Sequence, residues 1–126
     1  MDHSFADISG TDLAYLGDAV LEVMVRERLV KLGHGKAAPL SEKALSYVTA
    51  KAQSEALSKI EGMLTEEEEA VYHRARNNYR TSNVPKSATP AQYRRSTGFE
   101  AIFGYLYLEK NTERLSELFE AAYPEK

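Results

Sequence analysis

The sequence predicts an all-α bundle of about six to seven helices. Apolar residues recur at spacings of three to four in one segment after another, and cap or breaker residues such as Ser9, Gly33, Pro39, Gly62, Thr65 and Thr89 separate those segments. No stretch shows the period-two alternation of a half-buried strand. At 126 residues, 43% hydrophobic and 28% charged, the chain is sized for one domain with one core. It shows no internal repeat and no low-complexity tract.

The first helix has Ser9 or Thr11 as its candidate N-cap. It runs to Lys31 or Leu32, where Gly33-His34-Gly35 closes it. Its first half, Leu13 to Val25, is apolar on nearly every side and is interrupted by Gly17, Asp18 and Glu22. Such a helix is expected in the middle of a fold, and a carboxylate there needs a compensating partner. The second half, Arg26 to Lys31, turns amphipathic.

Pro39 opens a second helix through Leu40, Ala44, Leu45 and Val48. Ala50 to Ile60 is helical too, either joined to the second helix or kinked from it near Thr49, and Gly62 ends it. Thr65 caps the next helix, with Glu68 closing a capping box. The acids Glu66 to Glu69 sit where the positive helix end favours them, and this ordinary role suffices for the run. That helix passes through Val71 and Tyr72 to Asn78, and a loop with Pro85 follows from about Tyr79 to Ala88.

Thr89-Pro90 opens a second apolar helix, Ala91 to about Lys110. Its stretch from Gly98 to Leu108 embeds one acid, Glu100, between Gly98 and Gly104. Glycine is costly inside helices, so Gly17, Gly98 and Gly104 are expected where helices approach closely. A last helix from near Thr112 covers the bundle with Leu115, Leu118, Phe119 and Tyr123.

The chain has no cysteine, which excludes disulfides, thiolate catalysis and Cys-based zinc sites. No apolar run approaches the ~20 residues of a membrane span, and the N-terminus lacks the features of a signal peptide. The expected setting is cytoplasmic. The net charge of −3 is unevenly spread. Ala70 to Phe99 contains no acid but holds Arg74, Arg76, Arg80, Lys86, Arg94 and Arg95; setting those six of the 16 basic residues aside leaves ten against 19 acids. An acidic body with one basic segment suits a polyanion. Asn77, Asn78, Tyr79, Ser82 and Asn83 supply donors for phosphate contacts. The plainer alternative is a solvated loop beside helix C-terminal cations.

Asp18 and Glu100 are the candidate chemical pair. Carboxylates on facing helices of a bundle build metal sites, and oxygen ligands suit Mg²⁺ or Mn²⁺. The alternative is a salt bridge for each acid, and spacing alone leaves the two readings even. Glu22, one turn on, is assigned to an ion pair with Arg26. His3, His34 and His73 form no ligand motif. Tyr105 and Tyr107 are core or interface aromatics.

Tyr15-Leu16-Gly17-Asp18-Ala19-Val20-Leu21 resembles the signature helix of the ribonuclease III catalytic domain, and Phe99-Glu100-Ala101-Ile102-Phe103-Gly104-Tyr105-Leu106-Tyr107-Leu108 resembles that family's second acidic helix. Ala50-Lys51-Ala52-Gln53, Arg74-Ala75-Arg76-Asn77, Val84-Pro85-Lys86 and Tyr93-Arg94-Arg95-Ser96-Thr97 bring the chain closer still to a subfamily of short chains. The likeness covers about residues 7 to 122. It implies a ribonuclease III endonuclease-like bundle forming a single catalytic domain over 1–126, without a separate RNA-binding domain. It further implies a homodimeric, Mg²⁺-dependent endoribonuclease for double-stranded RNA, associated with maturation of the large-subunit ribosomal RNA precursor. Asp18 and Glu100 take the catalytic and metal-binding roles. Arg74, Arg76, Asn77, Arg80, Lys86, Arg94 and Arg95 form the candidate RNA contacts. The family pattern has further acids where this chain carries Ala14 and Thr97. That sparser set motivates a competing class, a catalytically weak RNA-binding or ribosome-assembly module. A third class, a helical nucleotide pyrophosphohydrolase, would normally show several more acids at helical spacing.

Overall fold

In the computed structural model, residues 7–33, 39–77 and 88–125 are described. Six α-helices are found among them: α1 (Gly10–Leu32), α2 (Leu40–Val48), α3 (Ala50–Ile60), α4 (Glu66–Asn77), α5 (Pro90–Leu108) and α6 (Thr112–Ala122). No strand occurs among the described residues. The all-α expectation holds, and the helix ends follow the local chemistry. Ser9 Oγ caps α1 by accepting from the Asp12 N–H, and Gly33 closes it at φ 61°. Between α2 and α3 the chain breaks outright: Thr49 ends α2 in extended geometry and its hydroxyl caps α3. A 3₁₀ turn over Glu61–Met63 follows. Thr65 and Glu68 exchange both bonds of a capping box, and Thr89 does the same with Gln92 ahead of Pro90.

The two apolar helices, α1 and α5, cross in the middle of the fold. Their backbones touch: a Cβ added at Gly17 would lie 1.6 Å from the Glu100 carbonyl oxygen, and one at Gly104 would lie 2.0 Å from that of Leu13. Only hydrogen fits at either place. Around the crossing, Val20, Leu21, Val25, Leu57, Ile60, Phe99, Ile102, Phe103 and Leu118 form the main core. α3 and α4 flank α5, and α6 closes the far side. Arg28 is buried and donates to Glu120 Oε1 at 2.9 Å and to the Tyr123 carbonyl, fastening the end of α6 to α1.

One expectation needs correction. A helix apolar on nearly every side was expected to be buried on every side, with Asp18 inside. Asp18 is exposed. Tyr15 is 84% exposed, and Val23 and Val30 are each 66% exposed. These residues and Ala19 recur at helical spacing along one stripe of α1. The helix is apolar all round because one face packs on α5 and another looks outward.

Candidate active site and nucleic-acid interface

The glycine contact at Gly17 fixes the site. It draws the Glu100 backbone against α1 one residue before Asp18, so the two carboxyl groups face each other within hydrogen-bonding reach. The acid pair expected from the sequence is therefore assembled by the α1–α5 crossing. Burial, above all, and then the charge and hydrogen bond of Asp18 push the Glu100 carboxyl up to about 9, against a smaller opposing effect of Gln53. Two carboxyls this close cannot both ionise readily unless positive charge joins them.

A stability prediction follows. Between the ordinary carboxylate range and about 9, the native state holds a proton on Glu100 that the unfolded chain has released. Stability in the absence of divalent cations should therefore fall as pH rises through that window. Urea unfolding between pH 5 and 9 checks this, and Glu100→Gln should flatten the slope. An equal slope in that variant would contradict the assignment.

Other residues find varied partners. Glu22 Oε2 accepts from Arg26 Nε at 3.1 Å, the ion pair expected within α1. Gln53, which was not singled out as a site residue, reaches Glu100 from α3: its Nε2 donates to Oε2 at 3.4 Å. Its sequence signal was a polar residue at i on the face completed by Ala56, Leu57 and Ile60, all buried. Thr97, where the family pattern carries an acid, turns its hydroxyl to the Tyr93 carbonyl at 3.0 Å. Ala14 is buried in a small cluster with Leu13, Val71, Ala75 and Ala101. Among the described residues, no three His, Cys, Asp or Glu side chains are grouped to hold a metal ion. The acid pair is lean.

The basic residues divide by what they touch. Arg95 binds across to α3, donating from Nε to Ser54 Oγ at 2.8 Å and from Nη2 to the Ser54 carbonyl, Ser58 Oγ and Glu61 Oε1. Arg74 Nη2 donates to the Ile8 carbonyl at 2.8 Å. Arg76 donates to Asn77 Oδ1, and its guanidinium lies 5.7 Å from the centre of the Tyr72 ring. Arg76, Asn77, Arg94 and Arg95 line a cleft of about 320 Å³ with Tyr72 and Ala91. Arg80 and Lys86 lie outside the described residues, as do all of residues 78–87 between α4 and α5.

A helical body with paired carboxyls at a helix crossing and an arginine-lined cleft on the neighbouring helices has the design of a nuclease. The ribonuclease III domain family matches residues 11–111. The chain belongs to that family, within its Mini-ribonuclease 3 group, and is an endoribonuclease. It is 51% identical over 110 residues to Mini-ribonuclease 3 of Symbiobacterium thermophilum, covering 87% of this chain and 84% of that one. Against Mini-ribonuclease 3 of Enterococcus faecalis it is 43% identical over 116 residues, covering 90% and 87%. A crystal structure of a Fusobacterium nucleatum protein superposes with a TM-score of 0.85 at 31% identity, over 99% of this chain and 100% of that one.

Proposed function

We propose that this ribonuclease is a single catalytic domain that cleaves double-stranded RNA with Mg²⁺, and that Asp18 and Glu100 are its metal-binding catalytic acids. The facing carboxyls at the α1–α5 crossing carry the reading. Their oxygens are hard donors of the kind Mg²⁺ and Mn²⁺ prefer, and the elevated Glu100 carboxyl marks a place where a cation would replace a proton. Asp18, exposed at the rim, meets the substrate side, and Glu100, half-buried, anchors the inner side. When bound, the cation would acidify the attacking water and offset charge on the phosphodiester.

RNA positioning falls to the cleft between α4 and the start of α5. Arg76, Asn77 and Arg94 line it and supply the phosphate contacts, and Arg80 and Lys86 are proposed to add to them from the sequence between α4 and α5. Arg74 and Arg95 support this surface through the bonds already described. Contacts of this type follow the shape of an A-form duplex and carry little sequence preference. The proposed substrate is a double-stranded stem of the large-subunit ribosomal RNA precursor, in the cytoplasm.

The active form is proposed to be a homodimer. Tyr15, Ala19, Val23 and Val30 form the outward stripe of α1, and beside it lies a groove of about 390 Å³ lined by Leu16, Val20, Met24, Tyr107 and Leu115, among others. A contiguous apolar surface of this kind favours a protein partner. Among the described residues, no helix is long and apolar enough to cross a membrane.

The test is a long RNA duplex incubated with the protein, with Mg²⁺ or with chelator. Cleavage with Mg²⁺ and none with chelator is expected; binding without cleavage would favour an RNA-binding module and overturn the catalytic reading. In the same assay, Arg76→Ala with Arg94→Ala should weaken duplex binding and lower the salt slope by about two. Unchanged affinity would remove the cleft from the RNA surface.

A further inference from the structure

We propose that Gln53 is a positioning residue for Glu100, delivering an amide N–H from α3 that holds the inner carboxylate toward Asp18. The inference rests on the reading of Asp18 and Glu100 as the catalytic acids.

Gln53 is 1% exposed, and the neighbouring positions of its helix face, Ala56, Leu57 and Ile60, are buried apolar residues. A primary amide at such a place is costly unless its hydrogen bonds are made, so an apolar residue would fill the core more simply. Its Nε2 donates to Glu100 Oε2 at 3.4 Å, long for such a bond, and so links α3 to the acid pair. The helix that carries it is held in register. Thr49 caps α3 four residues before Gln53, and Arg95 binds Ser54 through both hydroxyl and carbonyl. An arginine of α5 thus fixes the residue next to Gln53, five positions along α5 from Glu100.

The neighbouring positions that could have steered the pair do not reach it. Ala14 carries no polar side chain, and the Thr97 hydroxyl is given to Tyr93. Gln53 orients Glu100 without adding negative charge to two carboxyls already in contact. Hydrogen bonds to a ligating carboxylate set its direction, and their loss typically lowers metal affinity or activity about 10- to 100-fold.

The experiment compares wild type, Gln53→Leu, Gln53→Met and Asp18→Asn on a long RNA duplex across a Mg²⁺ series, with Mn²⁺ binding to the RNA-free protein followed by electron paramagnetic resonance. In the Gln53 variants kcat at limiting Mg²⁺ should fall about 10- to 100-fold. The Mg²⁺ concentration for half-maximal cleavage should rise, Mn²⁺ binding should weaken about 10-fold, and KM for the duplex should hold within about twofold. Thermal melting reports folding separately, and Gln53→Met serves if the branched leucine does not fold. If wild type cleaves, Asp18→Asn does not, and a folded Gln53 variant keeps the wild-type Mg²⁺ dependence and Mn²⁺ affinity, the positioning role is overturned while the catalytic acids stand. A wild type without Mg²⁺-dependent cleavage overturns both.

Discussion

Gly17→Ala is expected to reduce RNA cleavage by about 100-fold or more and to destabilise the protein by about 1–3 kcal/mol. The new methyl group would begin 1.6 Å from the Glu100 carbonyl oxygen, a backbone atom that no rotamer change can move aside. Relief requires α1 and α5 to separate, and that separation carries Asp18 away from Glu100. A misplacement of about 1 Å at reacting groups is enough for a 100-fold loss. The substitution therefore acts on the site through the fold while leaving every candidate catalytic side chain in the sequence. Gly62→Ala is the control: it has no atom within 4 Å of the added Cβ and no positive φ, so stability and cleavage should both stay near wild type. Denaturant unfolding and single-turnover cleavage of the two variants would decide the matter. Wild-type cleavage by Gly17→Ala would mean that the close crossing does not set the acid pair.

The second large effect lies away from the acids. Arg114→Met should cost about 3–5 kcal/mol, because it strands a buried carboxylate. The Glu68 side chain is 3% exposed. It accepts from Arg114 Nε at 2.9 Å and Nη2 at 2.8 Å, while Arg114 also donates to the Met63 carbonyl and to Glu117. Burial alone would raise the Glu68 carboxyl, but the Arg114 bonds and the Thr65 N–H outweigh it and hold it below its ordinary range. A depressed carboxylate stabilises the fold above its unfolded value, and that contribution is lost as pH falls through the folded value. The deficit of Arg114→Met should accordingly be largest near neutral pH and shrink as pH falls toward about 4, because a buried Glu68 stranded without Arg114 takes up a proton. Urea unfolding at pH 7 and pH 4 measures it; a deficit that grew on acidification would contradict the pairing.

How far these features could be read from the sequence depended on whether their cause was local. Ser9, Thr65, Thr89 and Gly33 mark helix ends through bonds to residues three or four away, and the helices begin and end there. The glycines were legible because each costs stability inside a helix unless a neighbour needs the space. Glu22 and Arg26 pair within one helix, again locally.

What sequence could not supply was long-range. Thr65-Glu-Glu-Glu68 reads as a capping box, which it is, yet nothing nearby announces that Arg114 also claims Glu68. Arg95 reads as one more cation of a basic segment, and nothing local announces that its guanidinium also ties α5 to α3. Gln53 is legible as part of the Ala50-Lys51-Ala52-Gln53 segment, but its bond to Glu100 is not, because that partner is 47 positions away. Apolar content on every side of α1 could mean burial or an outward face for a partner, and periodicity does not separate them. Tyr15 and Val23 show that a packed face and an outward face occur in the one helix, and Asp18 lies at the surface.

The central claim is that Asp18 and Glu100 act together as the metal-holding pair of this ribonuclease. The most direct measurement is single-turnover cleavage of a long RNA duplex by folded Asp18→Asn and Glu100→Gln at saturating Mg²⁺. Each substitution keeps shape and replaces a carboxyl that would hold the cation with an amide, so each should abolish cleavage while duplex binding persists, since the basic cleft is untouched. Wild-type cleavage by either variant would contradict the account.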